Sequence, residues 1–182
     1  MDNLFEKTKE WIKIYSNADH LIQTAYWVKE LDPEASDALV LAALTHDIER
    51  AFKENRNPPA PEFEGKWDDP IYNEWHSGRS AKFTEEFLKE KGTSEELIKR
   101  TTDLVKLHET GGTPEADLLK DADSLSFLEV NTPLFISMIP EKITKDDVRA
   151  KLDFMLNRIT SEKAKTIAKQ LYDKAILELD RV

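Results

Sequence analysis

Apolar residues recur at the spacing of an α-helix along almost the whole chain, and this periodicity is the feature that most constrains the fold. The segment from Ala38 to Leu44 is apolar on every side, as is typical of a helix at the centre of a bundle. Alternating β-branched runs are nearly absent, and the 182 residues include only 5 Gly and 8 Pro. We therefore predict an all-α fold.

Capping residues and helix breakers divide the chain into predicted helices around one irregular segment. The predicted helices cover about residues 3–15, 17–31, 36–47, 78–91, 94–108, 114–130, 146–158 and 161–182. Residues 55–75 hold half of the prolines and cannot continue a helix, which predicts a long loop of the kind that often covers a binding site.

The composition excludes several classes of protein. The 36 acidic and 26 basic residues give a net charge of −10, which disfavours binding to nucleic acid. The chain has no cysteine, so any metal ion must be held by histidine and carboxylate side chains. The sequence carries neither a signal-peptide run nor a membrane span, which predicts a cytoplasmic protein without a membrane partner. It leaves the oligomeric state open.

The placement of the four histidines points to metal chemistry. Each lies on or beside a predicted helix, at His20, His46, His76 and His108. A single histidine there is usually an ordinary polar residue, but His46 and Asp47 are adjacent at the end of an apolar helix. Burying both groups is costly unless they are paired, and a divalent cation accepts neutral imidazole and carboxylate as ligands. The same reasoning applies to Asp123.

The order of His20, the His46-Asp47 pair and Asp123 resembles the HD superfamily of metal-dependent phosphohydrolases. The apolar lead-in to the pair and the segment around Asp123 are also similar to those of the family, and the resemblance covers roughly residues 19–129. It implies a single HD-type helical domain over residues 1–182, with the motifs at about 19–129 and C-terminal helices at about 144–182. It also implies a metal ion on these four residues, with Asp121 as the alternative to Asp123.

His76 and His108 extend the resemblance to HD branches that hold two metal ions. The six-residue set is similar to that of the HD-GYP and cyclic-nucleotide phosphodiesterase branches, and of HD-fold di-iron oxygenases such as myo-inositol oxygenase. In that arrangement Asp47 bridges the two ions. Alternatively, His76 and His108 contact the substrate beside a single ion. We therefore expect one or two divalent ions per chain, with Mn, Fe, Zn, Ni and Co as candidates.

The resemblance implies a metal-dependent phosphohydrolase or phosphodiesterase that acts on a small phosphorylated metabolite or nucleotide. We expect Arg50, Arg79 and Lys82 to bind phosphate oxygens, because Arg50 and Arg79 each lie one helical turn beyond a predicted ligand. Glu49 is a candidate for orienting the attacking water. The alternatives are a di-iron oxygenase of the myo-inositol oxygenase type and a non-catalytic, nucleotide-sensing module.

Three aromatic residues precede or adjoin His76 in the predicted loop: Trp67, Tyr72 and Trp75. Aromatic rings stack on bases and sugars, which predicts that these residues form a wall or lid over the substrate. The alternative is that they attach the loop to the bundle.

Overall fold

The structure, a computed structural model, describes residues 2–55, 61–62 and 69–182. These residues form helices and connecting turns without a strand, which confirms the predicted all-α fold. The helices are α1 (Asp2–Ile12), α2 (Ala18–Leu31), α3 (Asp37–Thr45), α4 (Pro70–Glu90), α5 (Glu95–Leu107), α6 (Pro114–Ser126), α7 (Thr132–Ser137), α8 (Lys145–Asn157) and α9 (Glu162–Leu179). A 3₁₀ segment, Ile48–Asn55, follows α3, and a π-helical turn, Phe127–Asn131, joins α6 to α7.

Helix α3 is the centre of the bundle, as its apolar sequence predicts. Every residue from Ala38 to Thr45 is buried. The helix packs against α1, α2, α5 and α6, so that apolar side chains on all its faces have partners. It begins after Ser36, whose hydroxyl accepts a hydrogen bond from the amide of Leu39. The consequence is that His46 and Asp47 emerge from the most buried helix of the protein.

Helices α8 and α9 form a C-terminal pair with an apolar core of its own. Leu152 and Met155 of α8 and Ala168 and Leu179 of α9 are buried together with residues of the π-helical turn. Helix α8 begins with a capping box in which Thr144 and Asp147 exchange hydrogen bonds. This pair packs against α6 and the π-helical turn, which brings the end of α8 to the same region as Asp47.

Helix α4 begins at Pro70, well before the predicted start at Gly78. The Asp69 carboxylate accepts hydrogen bonds from the amides of Ile71 and Tyr72, and a proline is well tolerated in the first turn of a helix. The prediction of a loop was therefore wrong for residues 70–75. Residues 56–60 and 63–68 of that predicted loop lie outside the described residues.

Two further features of the helices differ from or extend the predictions. The predicted helix over residues 114–130 changes at Phe127 from α-helix to a π-helical turn, and the short helix α7 that follows was not predicted.

In the part of the chain that the structure describes, no helix is both long and apolar enough to cross a lipid bilayer.

Candidate metal centre

The six predicted ligands lie together in the interior of the bundle, although they come from α2, α3 and the turn after it, α4, the end of α5, and α6. All six side chains are buried. Their nitrogen and oxygen atoms form two adjacent groups, each compact enough to surround one metal ion: His20, His46 and Asp123, and Asp47, His76 and His108.

The first group is centred on one oxygen of Asp123. Asp123 Oδ1 lies 3.0 Å from Nε2 of His20 and 3.4 Å from Nε2 of His46. The two imidazole rings are inclined at 72° with centroids 5.3 Å apart, so their Nε2 atoms approach the carboxylate from different directions. This is the arrangement in which a small ion can contact two nitrogens and one oxygen.

The second group is centred on Asp47. Its Oδ1 lies 2.6 Å from Nε2 of His76 and 3.8 Å from Nε2 of His108. The His46 ring of the first group is 5.0 Å from the His108 ring of the second, centroid to centroid. The two groups are therefore close enough to form one dinuclear centre, with Asp47 and His46 adjacent in the chain between them.

Hydrogen bonds at Nδ1 fix the tautomers of His46 and His108. Both residues are the C-caps of their helices, and each Nδ1 bonds to a backbone carbonyl three residues earlier, Ala43 at 2.9 Å and Val105 at 2.7 Å. Because a carbonyl oxygen only accepts, Nδ1 must carry the hydrogen in the neutral ring. The lone pair is then on Nε2, which is the atom facing the centre.

The other two histidines are held in the same way by side chains. His76 Nδ1 is 2.9 Å from a carboxylate oxygen of Glu49. His20 Nδ1 is 2.8 Å from Ser126 Oγ, whose own hydrogen is donated to the His20 carbonyl. Both partners therefore accept from Nδ1, and all four imidazoles present an Nε2 lone pair to the centre when they are neutral.

Two of these Nε2 atoms fit a metal ion better than any protein partner. Nε2 of His46 and Nε2 of His108 are buried and have no hydrogen bond from the described residues. A buried polar atom without a partner costs free energy that an ion would recover. The donor set is four imidazole nitrogens and two carboxylates, which suits a divalent transition metal.

The electrostatics of the centre also favour a cation. Burial alone would raise the pKa of Asp47 and of Asp123, but neighbouring cationic and hydrogen-bonding groups outweigh burial and hold both pKa values well below their usual range. Burial lowers the pKa of His46, but the Asp123 carboxylate more than compensates and raises it. The carboxylates are thus ionised at neutral pH, which is the form in which they can act as metal ligands.

Asp121, the alternative to Asp123 as a ligand, has a different role. Its Oδ1 accepts a hydrogen bond from the amide of Thr160 at 2.7 Å, and its Oδ2 accepts one from the amide of Ser161 at 2.9 Å. Asp121 therefore stabilises the turn between α8 and α9, and Asp123 is the residue on α6 whose carboxylate lies among the histidines.

The four residues predicted to assist catalysis occupy different environments. Arg50 lines the cavity beside the metal centre, and its Nε donates to Asp47 Oδ2 at 2.8 Å. Glu49 is fully buried behind His76, so its position suits orienting that ring and not a water in the cavity.

Arg79 and Lys82 are not among the described residues that line the cavity. The Arg79 guanidinium is buried 5.3 Å from the Trp75 ring and 5.2 Å from the Phe83 ring, with its Nε 3.7 Å from Glu49. Lys82 is exposed on the surface of α4. The predicted phosphate-binding roles of these two residues do not fit these positions.

A cavity of about 510 Å³ opens onto the metal centre. Sequence reasoning missed three charged residues in its lining: Glu109, Lys151 and Arg158. Arg158 Nη1 donates to Glu109 at 3.0 Å, and Arg158 Nη2 donates to the His108 carbonyl at 2.9 Å and lies 3.3 Å from Asp123 Oδ2. Burial would raise the pKa of Glu109, but His108 and Arg158 lower it to about 2.

The position of Glu109 directly after His108 was the one signal in the sequence that could have identified any of these three. Lys151 and Arg158 lie on α8 or at its C-cap, beyond the motifs, and only the packing of α8 against the bundle brings them to the cavity.

Two of the three predicted aromatic residues can be located. The Tyr72 ring lies parallel to the His76 ring at a centroid distance of 6.0 Å and lines the cavity. Trp75 does not line the cavity and instead contacts Arg79. Trp67 lies outside the described residues, so its predicted role as part of a lid stays a prediction.

Comparisons with known proteins agree with this architecture. The structure is similar to the crystal structure of a predicted HD superfamily hydrolase from an uncultured Thermotogales bacterium, with 14% sequence identity and a TM-score of 0.61 over 97% of this chain and 89% of that chain. At this identity the similarity shows the fold, and it confirms the predicted HD-type architecture. No curated protein matches the sequence. A family model described as a domain of unknown function, DUF4202, matches residues 6–178, and the chain belongs to that family.

Proposed function

We propose that this protein is a metal-dependent phosphohydrolase or phosphodiesterase that acts on a small phosphorylated metabolite or nucleotide. The observation that carries the proposal is the convergence of four imidazole Nε2 atoms and two carboxylates beside a cavity that three basic side chains line. The HD-type fold, shared with a protein described as a predicted hydrolase, supports the same chemistry.

His20, His46 and Asp123 would hold one divalent ion, and Asp47, His76 and His108 a second. A bound divalent ion supplies a nucleophilic hydroxide at neutral pH and polarises a phosphoryl oxygen. The protein's own contribution is to hold all four imidazoles in the tautomer that presents Nε2, through hydrogen bonds at Nδ1.

The charges that line the cavity suit an anionic substrate. The acidic residues are Asp47, Glu109 and Asp123, and the basic residues are Arg50, Lys151 and Arg158. Their formal charges cancel, so a bound divalent ion leaves the cavity positive, which favours a phosphate group.

Arg50 and Lys151 are the cations we assign to the phosphate oxygens. Arg50 donates its Nε to Asp47 Oδ2 and lines the cavity, with its Nη2 3.5 Å from Nε2 of His76. Burial lowers the pKa of Lys151 to about 8, so its ammonium form still predominates at neutral pH.

Glu109 is the carboxylate that we assign to orienting the attacking water. It lines the cavity, and one of its oxygens lies 3.6 Å from Nε2 of His108. Its low pKa keeps it a hydrogen-bond acceptor at neutral pH, and the ion pair with Arg158 fixes its position. Glu49, the residue predicted for this role, acts instead through His76 as a positioning residue.

The test combines metal content with turnover. Wild-type protein purified without added metal or chelator is expected to contain about two divalent ions per chain on this ligand set, and to hydrolyse aryl phosphate monoesters or diesters. His46→Ala and Asp47→Asn are expected to lose both properties while remaining folded by circular dichroism. Lys99→Ala, on the exposed face of α5, is the control and is expected to match wild type.

Full hydrolysis by folded His46→Ala protein would refute the proposal. Consumption of oxygen by iron-loaded protein, without hydrolysis of any phosphate ester, would also refute it and favour the oxygenase alternative. Metal-independent nucleotide binding without turnover would favour the sensing module.

A further inference from the structure

One side of the cavity is built from apolar side chains that the proposed chemistry does not use. They come from the π-helical turn, from α7 and the residue after it, and from α8. We call them the apolar wall, and its members are Phe127, Leu134, Phe135, Met138 and Met155.

The apolar wall is preformed by packing within the protein. The Phe127 and Phe135 rings meet edge to face at 4.9 Å between centroids, and α7 packs against the π-helical turn and α8. Leu134 is 44% exposed although it lines the cavity, which places it at the opening. These side chains offer only carbon and sulfur atoms, so the wall has no strong hydrogen-bonding group of its own.

The apolar wall adjoins the charged part of the cavity. Phe127 directly follows Ser126, which holds the His20 ring, and the Lys151 ammonium lies 5.2 Å from the Phe127 ring centroid. Elsewhere in the lining, the Asn17 amide donates to Asn131 Oδ1 at 3.0 Å, so these two polar groups already satisfy each other in part. The lining also includes polar residues such as Tyr15, Tyr72 and Asn73. A ligand with its anion at the metal centre and an apolar remainder would bury that remainder against the wall.

The size of the cavity suits a ligand larger than phosphate. A volume of about 510 Å³ lies in the range of pockets that enclose a whole small molecule. Hydroxyl groups of a sugar placed against the wall would lose their hydrogen bonds to water without replacement, whereas an aromatic or branched aliphatic group would gain from burial.

We propose that the apolar wall binds the alcohol portion of the substrate, and that the substrate class is phosphate esters of aromatic or branched aliphatic alcohols. This inference rests on the proposed function for the phosphate end of the ligand. It assigns the choice of substrate to the π-helical turn, α7 and α8, which lie outside the elements that carry the six metal ligands.

The experiment measures binding with analogues that cannot be hydrolysed. Phenylphosphonate and methylphosphonate present the same anion and differ in their apolar group, and each is titrated calorimetrically into metal-loaded protein. Phenylphosphonate is expected to bind about tenfold more tightly or better, because the wall buries its ring. Equal affinity for the two compounds would overturn the inference, as would tighter binding of a sugar phosphonate.

A double variant of the wall and a control variant test whether the apolar wall causes the preference for phenylphosphonate. The double variant Leu134→Asn, Met138→Gln changes two partly exposed side chains of the wall and is expected to lose most of the preference for phenylphosphonate while keeping its affinity for methylphosphonate. Leu177→Asn is the control, because Leu177 is 62% exposed on α9 and does not line the cavity. An unchanged preference in folded double variant would overturn the inference.

The inference and the proposed function can fail separately. Hydrolysis of phosphate esters with no preference for apolar alcohols would support the proposed function and refute the role of the wall. A wall-dependent preference for phenylphosphonate, in protein that hydrolyses no phosphate ester, would support the wall and remove the proposed function.

Discussion

Each histidine of the metal centre depends on one hydrogen bond on the far side of its ring. His46 and His108 use backbone carbonyls of their own helices, while His20 and His76 use side chains, Ser126 and Glu49. A carbonyl three residues back is available to any residue at the end of a helix, but a side-chain partner can be removed by mutation. Substitution of these side-chain partners is therefore the most direct test of how the histidines are positioned.

Replacement of Glu49 by glutamine should weaken metal binding without unfolding the protein. Glutamine keeps the size of the side chain and removes the negative charge that orients and polarises His76. We expect a loss of affinity of about 10-fold to 100-fold, typical of residues that support a metal ligand, measured by titration of apo protein with metal. Glu85→Gln, on the exposed surface of α4, is the control, and equal affinity of Glu49→Gln and Glu85→Gln would contradict the role of Glu49.

Variants of the two aspartates of α6 should distinguish loss of metal binding from loss of folding stability. Asp123→Ala is expected to lose the metal ion of the first group, because the carboxylate joins His20 and His46. Asp121→Ala is expected to keep the metal content of wild type and to lower the free energy of unfolding by about 1–2 kcal/mol, because it caps the turn into α9. Elemental analysis and urea unfolding of both variants are the measurements, and reduced metal in Asp121→Ala would reverse the assignment.

Among the helices, the C-terminal end of α8 connects the α8–α9 pair to the residues of the candidate metal centre. Arg158, the C-cap of α8, donates to the carbonyl of His108 and to the carboxylate of Glu109 and lies beside Asp123. It thereby links the ends of α5 and α8 with the last turn of α6. Its side chain is only 8% exposed, so its contacts are little screened by solvent.

Arg158→Met should destabilise the protein far more than loss of a surface arginine. It leaves Glu109 and Asp123 buried without their cation, and breaking one partner of such a pair costs about 3 kcal/mol or more. Arg149→Met is the matched control on the same helix, where the exposed pair with Asp180 is expected to contribute about 0.5 kcal/mol or less. Similar urea midpoints for the two variants would show that the contacts of Arg158 with Glu109 and Asp123 do not stabilise the packing of these helices.

In the whole molecule, the six residues of the candidate metal centre come from five helices or the residues directly after them. Since a metal ion would contact α2, α3 and α6 on one side and α4 and α5 on the other, its binding free energy would add to the stability of the entire fold.

Removal of metal should therefore lower the melting temperature. Protein treated with a chelator is expected to melt at a lower temperature, and addition of a divalent ion at about 100 times its dissociation constant should restore about 2.7 kcal/mol of stability. Differential scanning calorimetry measures the shift. The same addition to Asp123→Ala protein is expected to give a much smaller shift, and an equal shift would place the ion elsewhere.

The fold class and the candidate ligands could be predicted from the sequence alone. Helical periodicity records which face of each segment is buried, and it predicted the all-α fold and the central position of the helix that leads to His46. The adjacency of His46 and Asp47 at a buried helix end pointed to metal chemistry, because burying both groups requires a partner, and the order of His20, this pair and Asp123 strengthened the prediction.

Which charged residues share the cavity could not be predicted before the packing of the helices was known. Arg50 reaches Asp47 across one turn, whereas Lys82 faces solvent and Arg79 packs behind Glu49, and the spacing of these residues in the chain did not distinguish them. Lys151 enters the cavity from a helix far along the chain. The physical reason is that periodicity specifies which face of a helix is buried, while packing between helices decides what that face contacts.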